Sequence, residues 1–241
     1  MVFLLATTLA LSFLGLLANA KSSDDIALGI AAIEAHFKNA DIVPDLLPAF
    51  NPSAIMNVAF PGVGPISPGQ DLSMQQTATA PNLLTITPAN SSVPTTGNFT
   101  LMMVDARAVG TNESNGQVLH WLANYATLKK ESSSCPSLNV STACGVVVTE
   151  YVPPQPIVGT GPHRYVILLL PQPPSFSPPA NLSKANVGPD IYFHTTDYIS
   201  SSHLGQPIAG MYFDVQQGPA TVTIPPTSAV VTSTLVPAYS A

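Results

Sequence analysis

The feature that most limits what this chain can fold into is the shortness of its apolar runs. From Ile55 onward they are Ile55–Phe60, Leu83–Thr87, Phe99–Val104, Val118–Tyr125, Gly145–Tyr151, Tyr165–Leu170 and Met211–Val215, separated by breaks rich in Pro, Gly, Asn and Ser. Segments this short, broken this regularly, predict the strands of an all-β sandwich or barrel. The 25 prolines among 241 residues act in the same direction, because proline breaks helix interiors and is tolerated in loops and at sheet edges. One segment departs from the pattern. Asp24–Ala40 carries Ile26, Ile30, Ile33 and Phe37 as an apolar stripe at helical spacing, with acidic residues at its start, where a helix dipole favours them. His36 lies beside that stripe and reads as an ordinary helix histidine. Ile191–Ser202 fits either a short helix or a strand with its turn, and Tyr192, Phe193 and Tyr198 within it read as core or pocket-wall aromatics.

The ends of the chain differ from its middle. Residues 1–20 are almost wholly apolar and finish on Ala18-Asn19-Ala20, the pattern of a secretory signal peptide; the competing reading is a membrane anchor, for which the run is short. Residues 21–217 form the predicted domain. Residues 218–241 contain no charged side chain and are rich in Pro, Thr, Ser and Val, which reads as a disordered Ser/Thr/Pro-rich tail, weakly compatible with a GPI signal. Five N-x-[ST] sequons, at Asn90, Asn98, Asn112, Asn139 and Asn181, agree with passage through the secretory pathway. Cys135 and Cys144 are spaced for a local disulfide in an oxidising compartment; closing so short a loop would stabilise by roughly 2.5–3 kcal/mol. The expected location is therefore extracellular, with no transmembrane segment in the mature chain.

Charge removes several functions. The formal net charge is −6 and there are seven Lys and Arg residues, with no basic patch to neutralise nucleic-acid phosphates. A Cys pair without neighbouring His is a poor metal site, and the signatures of dinucleotide folds, P-loops, zinc proteases and nucleophile elbows are absent. No metal or cofactor is expected. Three ionisable residues stand at or within strands: Asp105, which closes Leu101–Val104; His120, inside an apolar run; and His163, which opens the run beginning Arg164-Tyr165. Buried polar groups of this kind need partners, so satisfied core histidines and a binding site are both open readings. Gly159-Thr160-Gly161 leads into a strand and offers an anion no helix N-terminus.

In order and spacing, Asp105, His120-Trp121, Tyr151-Val152-Pro153-Pro154 and Gly159-Thr160-Gly161-Pro162-His163-Arg164-Tyr165 resemble the phosphatidylethanolamine-binding protein family, which includes the Raf kinase inhibitor protein. Ile42–Leu47 and Gly205–Phe213 extend the resemblance to about residues 24–216, and the leader, sequons and cysteines resemble secreted fungal-type members. The resemblance implies a mainly β, Greek-key sandwich with a few peripheral helices and a small anion pocket, without catalysis. It implies a lining of Asp105, His120, Pro156, His163 and Tyr165, with Phe213 where some members carry a pocket tyrosine; Tyr212 is the alternative. The implied partner is a small anion or phospholipid headgroup. The alternative is an extracellular protease, since the family includes the carboxypeptidase Y inhibitor. One departure stands out. The family's D-P-D-x-P is here Asp105-Ala106-Arg107-Ala108-Val109. If the strand continues, Arg107 shares a face with Asp105 and adds positive charge at the rim; otherwise it fills the site or pairs with an acid.

Overall fold

The computed structural model describes residues 23–111, 114–130, 136–185, 188, 190–225, 227 and 229–235. The leader, Asn112 and Cys135 lie outside them. Helix α1 (Ser23–Asn39) buries Ile26, Ile30, Ile33 and Phe37, the stripe read from sequence. The short α2 (Ile42–Asp45) turns the chain into the sheet, and α3 (Thr195–Ser201) resolves the ambiguous segment as a helix. Ten strands follow α2 in chain order: β1 (Ala54–Phe60), β2 (Gly64–Pro65), β3 (Gln70–Leu72), β4 (Leu83–Pro88), β5 (Phe99–Asp105), β6 (Val118–Lys130), β7 (Leu138–Ser141), β8 (Val146–Thr149), β9 (His163–Pro171) and β10 (Ala209–Val215). No helix of the described residues is long and apolar enough to cross a membrane.

Hydrogen bonding follows one path, β2-β1-β4-β7-β6-β5-β9-β10-β3, with β8 added on β6. The architecture is thus mainly β with few helices, as expected, and takes the form of a single curled sheet. The long strand β6 makes the curl possible. Its first part pairs with β5 and its last four residues, Thr127–Lys130, pair with β7. The two ends of one strand therefore belong to the two halves of the sheet, which fold over and face each other. Met56, Val58 and Ile86 from one half meet Leu101, Met103, Ile167 and Phe213 from the other in an inner core.

Strand β9 is buried from His163 to Leu170 because both of its faces are covered, which is why it reads as an unbroken apolar run rather than an alternating one. Tyr165, Ile167 and Leu169 enter the inner core. Val166, Leu168 and Leu170 enter a second core beneath Phe37, Leu46, Leu47 and Phe50, where Phe37 stacks on Phe50 with ring centroids 4.0 Å apart. Each fully buried aliphatic or aromatic side chain contributes roughly 1.5–3 kcal/mol, so the helical layer is held by the outer face of the strand that carries the motif.

Candidate functional site

The end of β5, the start of β9 and the loop after β8 converge on one pocket of about 530 Å³. Asp105 is the last residue of β5 and pairs in register with Tyr165 of β9. That register brings the carboxylate beside the first residue of the neighbouring strand: His163 Nδ1 donates to Asp105 Oδ2 at 2.8 Å, with both residues buried. Asp105 Oδ1 accepts the Arg107 backbone N–H at 2.6 Å. The other ring nitrogen of His163 lies 2.8 Å from the Thr160 hydroxyl. The Ile157 carbonyl lies 2.7 Å from the same hydroxyl, so the single hydroxyl proton of Thr160 has two acceptors in reach, that carbonyl and the unprotonated nitrogen of a neutral His163 ring. The order Thr160–His163–Asp105 has the outline of an acyl-transfer triad. Its hydroxyl is not presented to the pocket, since Thr160 is not among the pocket-lining residues.

His120 forms the floor. Its Nδ1 donates to the Val152 carbonyl at 2.8 Å, and the Val152 N–H returns a bond to the His120 carbonyl. This two-way clasp fixes the loop that supplies Pro153, Gln155, Pro156 and Ile157 to the wall. Burial lowers the His120 pKa below its ordinary 6.5; the Val152 hydrogen bond and the Asp105 charge oppose that shift, and His163 adds to it. The ring is thus neutral near neutrality, with Nδ1 as its donor.

Arg107 supplies the pocket's guanidinium. Strand β5 stops at Asp105, and Arg107 sits at φ 55° in the left-handed region, so the shared strand face considered from sequence does not exist. The turn nevertheless brings the side chain to the pocket wall. Its Nη2 donates to the Gly116 carbonyl at 3.3 Å, its buried Nε has no hydrogen-bond partner, and no ion pair of Arg107 occurs among the described residues.

The structure brings Asp105, Arg107, His120, Pro156 and His163 together around one cavity, and sets Tyr165 and Phe213 behind it. Tyr165 packs edge-on against His120 at 5.1 Å and stacks on Phe213 at 5.6 Å, with both rings in the inner core. Burial first, then the nearby Asp105 carboxylate, push the Tyr165 phenol far above its ordinary pKa. Tyr212, on the opposite face of β10, packs against Phe37 and faces a separate cavity of about 400 Å³ with Arg164 and Asp214. Arg164 does not line the site pocket either. It is 2% exposed and bonds the carbonyls of Ala40, Ala106 and Arg107 and the Asp45 carboxylate.

Sequence reasoning gave no role to Thr160, Ile157 or Ile191, and read Tyr192 as a core or pocket-wall aromatic. Ile157, Ile191 and Tyr192 line the pocket mouth with 68%, 55% and 65% exposure. Two-way backbone bonds between Gln117 and Phe193 hold the Ile191–Phe193 turn there, and the Gln117 side-chain oxygen accepts from Thr195. Large apolar residues inside a Pro- and Asp-bordered break were the available signal. Of the sequons described, Asn90, Asn98 and Asn181 are exposed and Asn139 is half-buried in β7. Cys144 is exposed and forms no disulfide among the described residues; its expected partner Cys135 lies outside them.

Comparison with known proteins agrees with the geometry. The family model described as phosphatidylethanolamine-binding protein matches residues 62–213. CEN-like protein 1 of Nicotiana tabacum is 26% identical over 182 residues, spanning 74% of this chain and 90% of the tobacco protein. The 26 kDa secreted antigen of Toxocara canis is 29% identical over 182 residues, spanning 75% of this chain and 63% of the antigen. The carboxypeptidase Y inhibitor of Saccharomyces cerevisiae is 30% identical over 166 residues, spanning 59% and 74% respectively. Among solved structures, carboxypeptidase Y inhibitor complexed with its cognate proteinase superposes with a TM-score of 0.63 at 23% identity, covering 80% of this chain and 97% of the inhibitor. A phosphatidylethanolamine-binding protein from Plasmodium vivax superposes at 0.53 and 16% identity, covering 76% and 96%. At these identities the superpositions establish the fold.

Proposed function

Because the chain belongs to the phosphatidylethanolamine-binding protein family, we propose that it is a non-enzymatic binding module whose pocket takes a small anion or a phospholipid headgroup. The observation that carries this reading is Arg107: a guanidinium on the pocket wall with, among the described residues, a buried, unpartnered Nε and no carboxylate bound to it. A buried donor left unpaired is costly, and an oxyanion would satisfy it with a charge-assisted hydrogen bond. The rim of Ile157, Ile191 and Tyr192 suits the apolar part of a lipid. Titration calorimetry with inorganic phosphate and phosphoethanolamine tests the proposal. Arg107→Gln is expected to weaken phosphate at least about tenfold, the worth of one charged hydrogen bond. An unaltered protein that ignores both probes sinks it.

A second reading, restraint of a serine carboxypeptidase or another extracellular protease, is favoured by the similarity to carboxypeptidase Y inhibitor in sequence and fold. Inhibition that survives His163→Ala and is lost on altering the surface would separate it from pocket binding. Secretion belongs to both readings. The leader, the exposed sequons and an oxidised Cys135–Cys144 pair are its parts, and intact-mass measurement of the exported chain, with and without glycosidase and reductant, checks all three.

A further inference from the structure

The segment after β10 leaves the sheet and runs back past the motif turn. Gly159 donates its N–H to the Gln217 carbonyl at 3.3 Å, and its own carbonyl accepts both the N–H and the hydroxyl of Thr221, at 2.8 and 3.1 Å. Gly159 and Gly161 have φ of 86° and 90°, and neither has room for a side chain. A Cβ on Gly159 would lie 2.8 Å from Thr221 Oγ1, and one on Gly161 would lie 2.5 Å from Ile224 Cδ1. One residue further on, Pro225 packs on Gly110, where a Cβ would meet its ring at 3.0 Å. Gly110 belongs to the loop that follows Asp105 and Arg107.

Residues 217–225 therefore touch both walls of the pocket from behind, the turn before β9 through Gly159 and Gly161 and the loop after β5 through Gly110. None of them lines the pocket itself. The turn they hold is the one whose Thr160 hydroxyl meets His163, which in turn meets Asp105. We propose that residues 217–225 form a strap that fixes the spacing of the two pocket walls, so that anion affinity depends on a segment that does not contact the anion. This inference rests on the binding reading above. Its physical basis is preorganisation: a donor set already held in place loses less freedom when the ligand arrives.

The test uses full-length protein carrying Thr221→Pro, which removes the N–H and hydroxyl donors to Gly159, and separately Ile224→Ser, which removes the contact at Gly161. Inorganic phosphate affinity is measured by calorimetry. Hydrogen–deuterium exchange is followed without ligand over residues 105–111 and 157–165. With the thermal midpoint unchanged, the dissociation constant is expected to rise about fivefold, the equivalent of one net hydrogen bond, and exchange in both loops to quicken. Thr221→Ser, which keeps both donors, is expected to behave as the unaltered protein. Thr160→Val combined with Thr221→Pro is expected to weaken binding by less than the product of the single effects, because both act on one turn. Unchanged phosphate affinity in both strap variants overturns the proposal, even if exchange quickens. If the unaltered protein binds no phosphate, the function proposed above fails instead. Exchange alone then decides the strap: faster exchange in both loops supports it, and unaltered rates overturn it.

Discussion

His120 and His163 stand on the same pocket and are held by opposite means. His163 is gripped at both ring nitrogens, by Asp105 and Thr160; His120 is gripped at one, by Val152. Burial keeps His120 neutral until the solution is more acid than its ordinary pKa of 6.5, so its charge, and its attraction for an anion, arrive at the acid end of the titration. Sulfate, which does not itself titrate between about pH 8 and about pH 5, is expected to bind roughly tenfold more tightly at the lower limit. His120→Asn should remove that gain, and a flat calorimetric titration of the unaltered protein would overturn the role given to the His120 charge. The sequence identified both histidines and Asp105 because ionisable groups at strand ends are conspicuous in a chain with 8% charged residues. It did not separate lining from support. The resemblance grouped Tyr165 and Phe213 with the lining; a motif gives the residues that meet around a site and not their depth, and both rings lie behind the others.

Most of the strands were legible for a reason visible in β9 and β5: a strand covered on both faces is an apolar run with polar punctuation. The strands that escaped, β2, β3 and β7, are two to four residues long and partly exposed. The end of β6 also escaped, because Thr127–Lys130 turns polar where it pairs with β7 near the surface. The short β3 has consequences beyond its length. It pairs in parallel with β10 and sets Asp71 opposite Asp214. Burial, and then the Asp71 charge, raise the Asp214 pKa from 3.8 to about 7, against the pull of Arg164. The folded protein thus holds a proton on Asp214 that the unfolded chain has given up. The resulting stabilisation is fully present below about pH 4 and is lost as the pH rises through about 7. Asp214→Asn keeps the shape and removes the titration. In urea unfolding, the variant is expected to gain on the unaltered protein by on the order of 2–4 kcal/mol between about pH 4 and about pH 8; a constant difference would refute the assignment.

At the scale of the whole molecule, the helical layer and the sheet are joined by Arg164. From β9 its guanidinium reaches the end of α1 at Ala40, α2 at Asp45 and the loop after β5 at Ala106 and Arg107. Removing it leaves those carbonyls without the donors they now have, and such losses are among the large ones. Arg164→Met should destabilise by roughly 3–5 kcal/mol, read as a lower urea midpoint, and should weaken phosphate binding much less than Arg107→Gln where folded protein remains. The two arginines thus divide the work that one motif seemed to share. The division follows from where they stand in β9 and its neighbour: His163 turns to the anion pocket, while Arg164, the next residue, turns to the helices. The motif therefore carries a parity. Inserting or deleting one residue between Gly161 and Leu170 would exchange the two audiences of every side chain after it; placed just before His163, the change would send the guanidinium toward the pocket and an imidazole under α1. A change of two residues would keep each side chain on its own side and only move it along the strand. Tolerance of length changes in this stretch should accordingly be odd–even rather than graded.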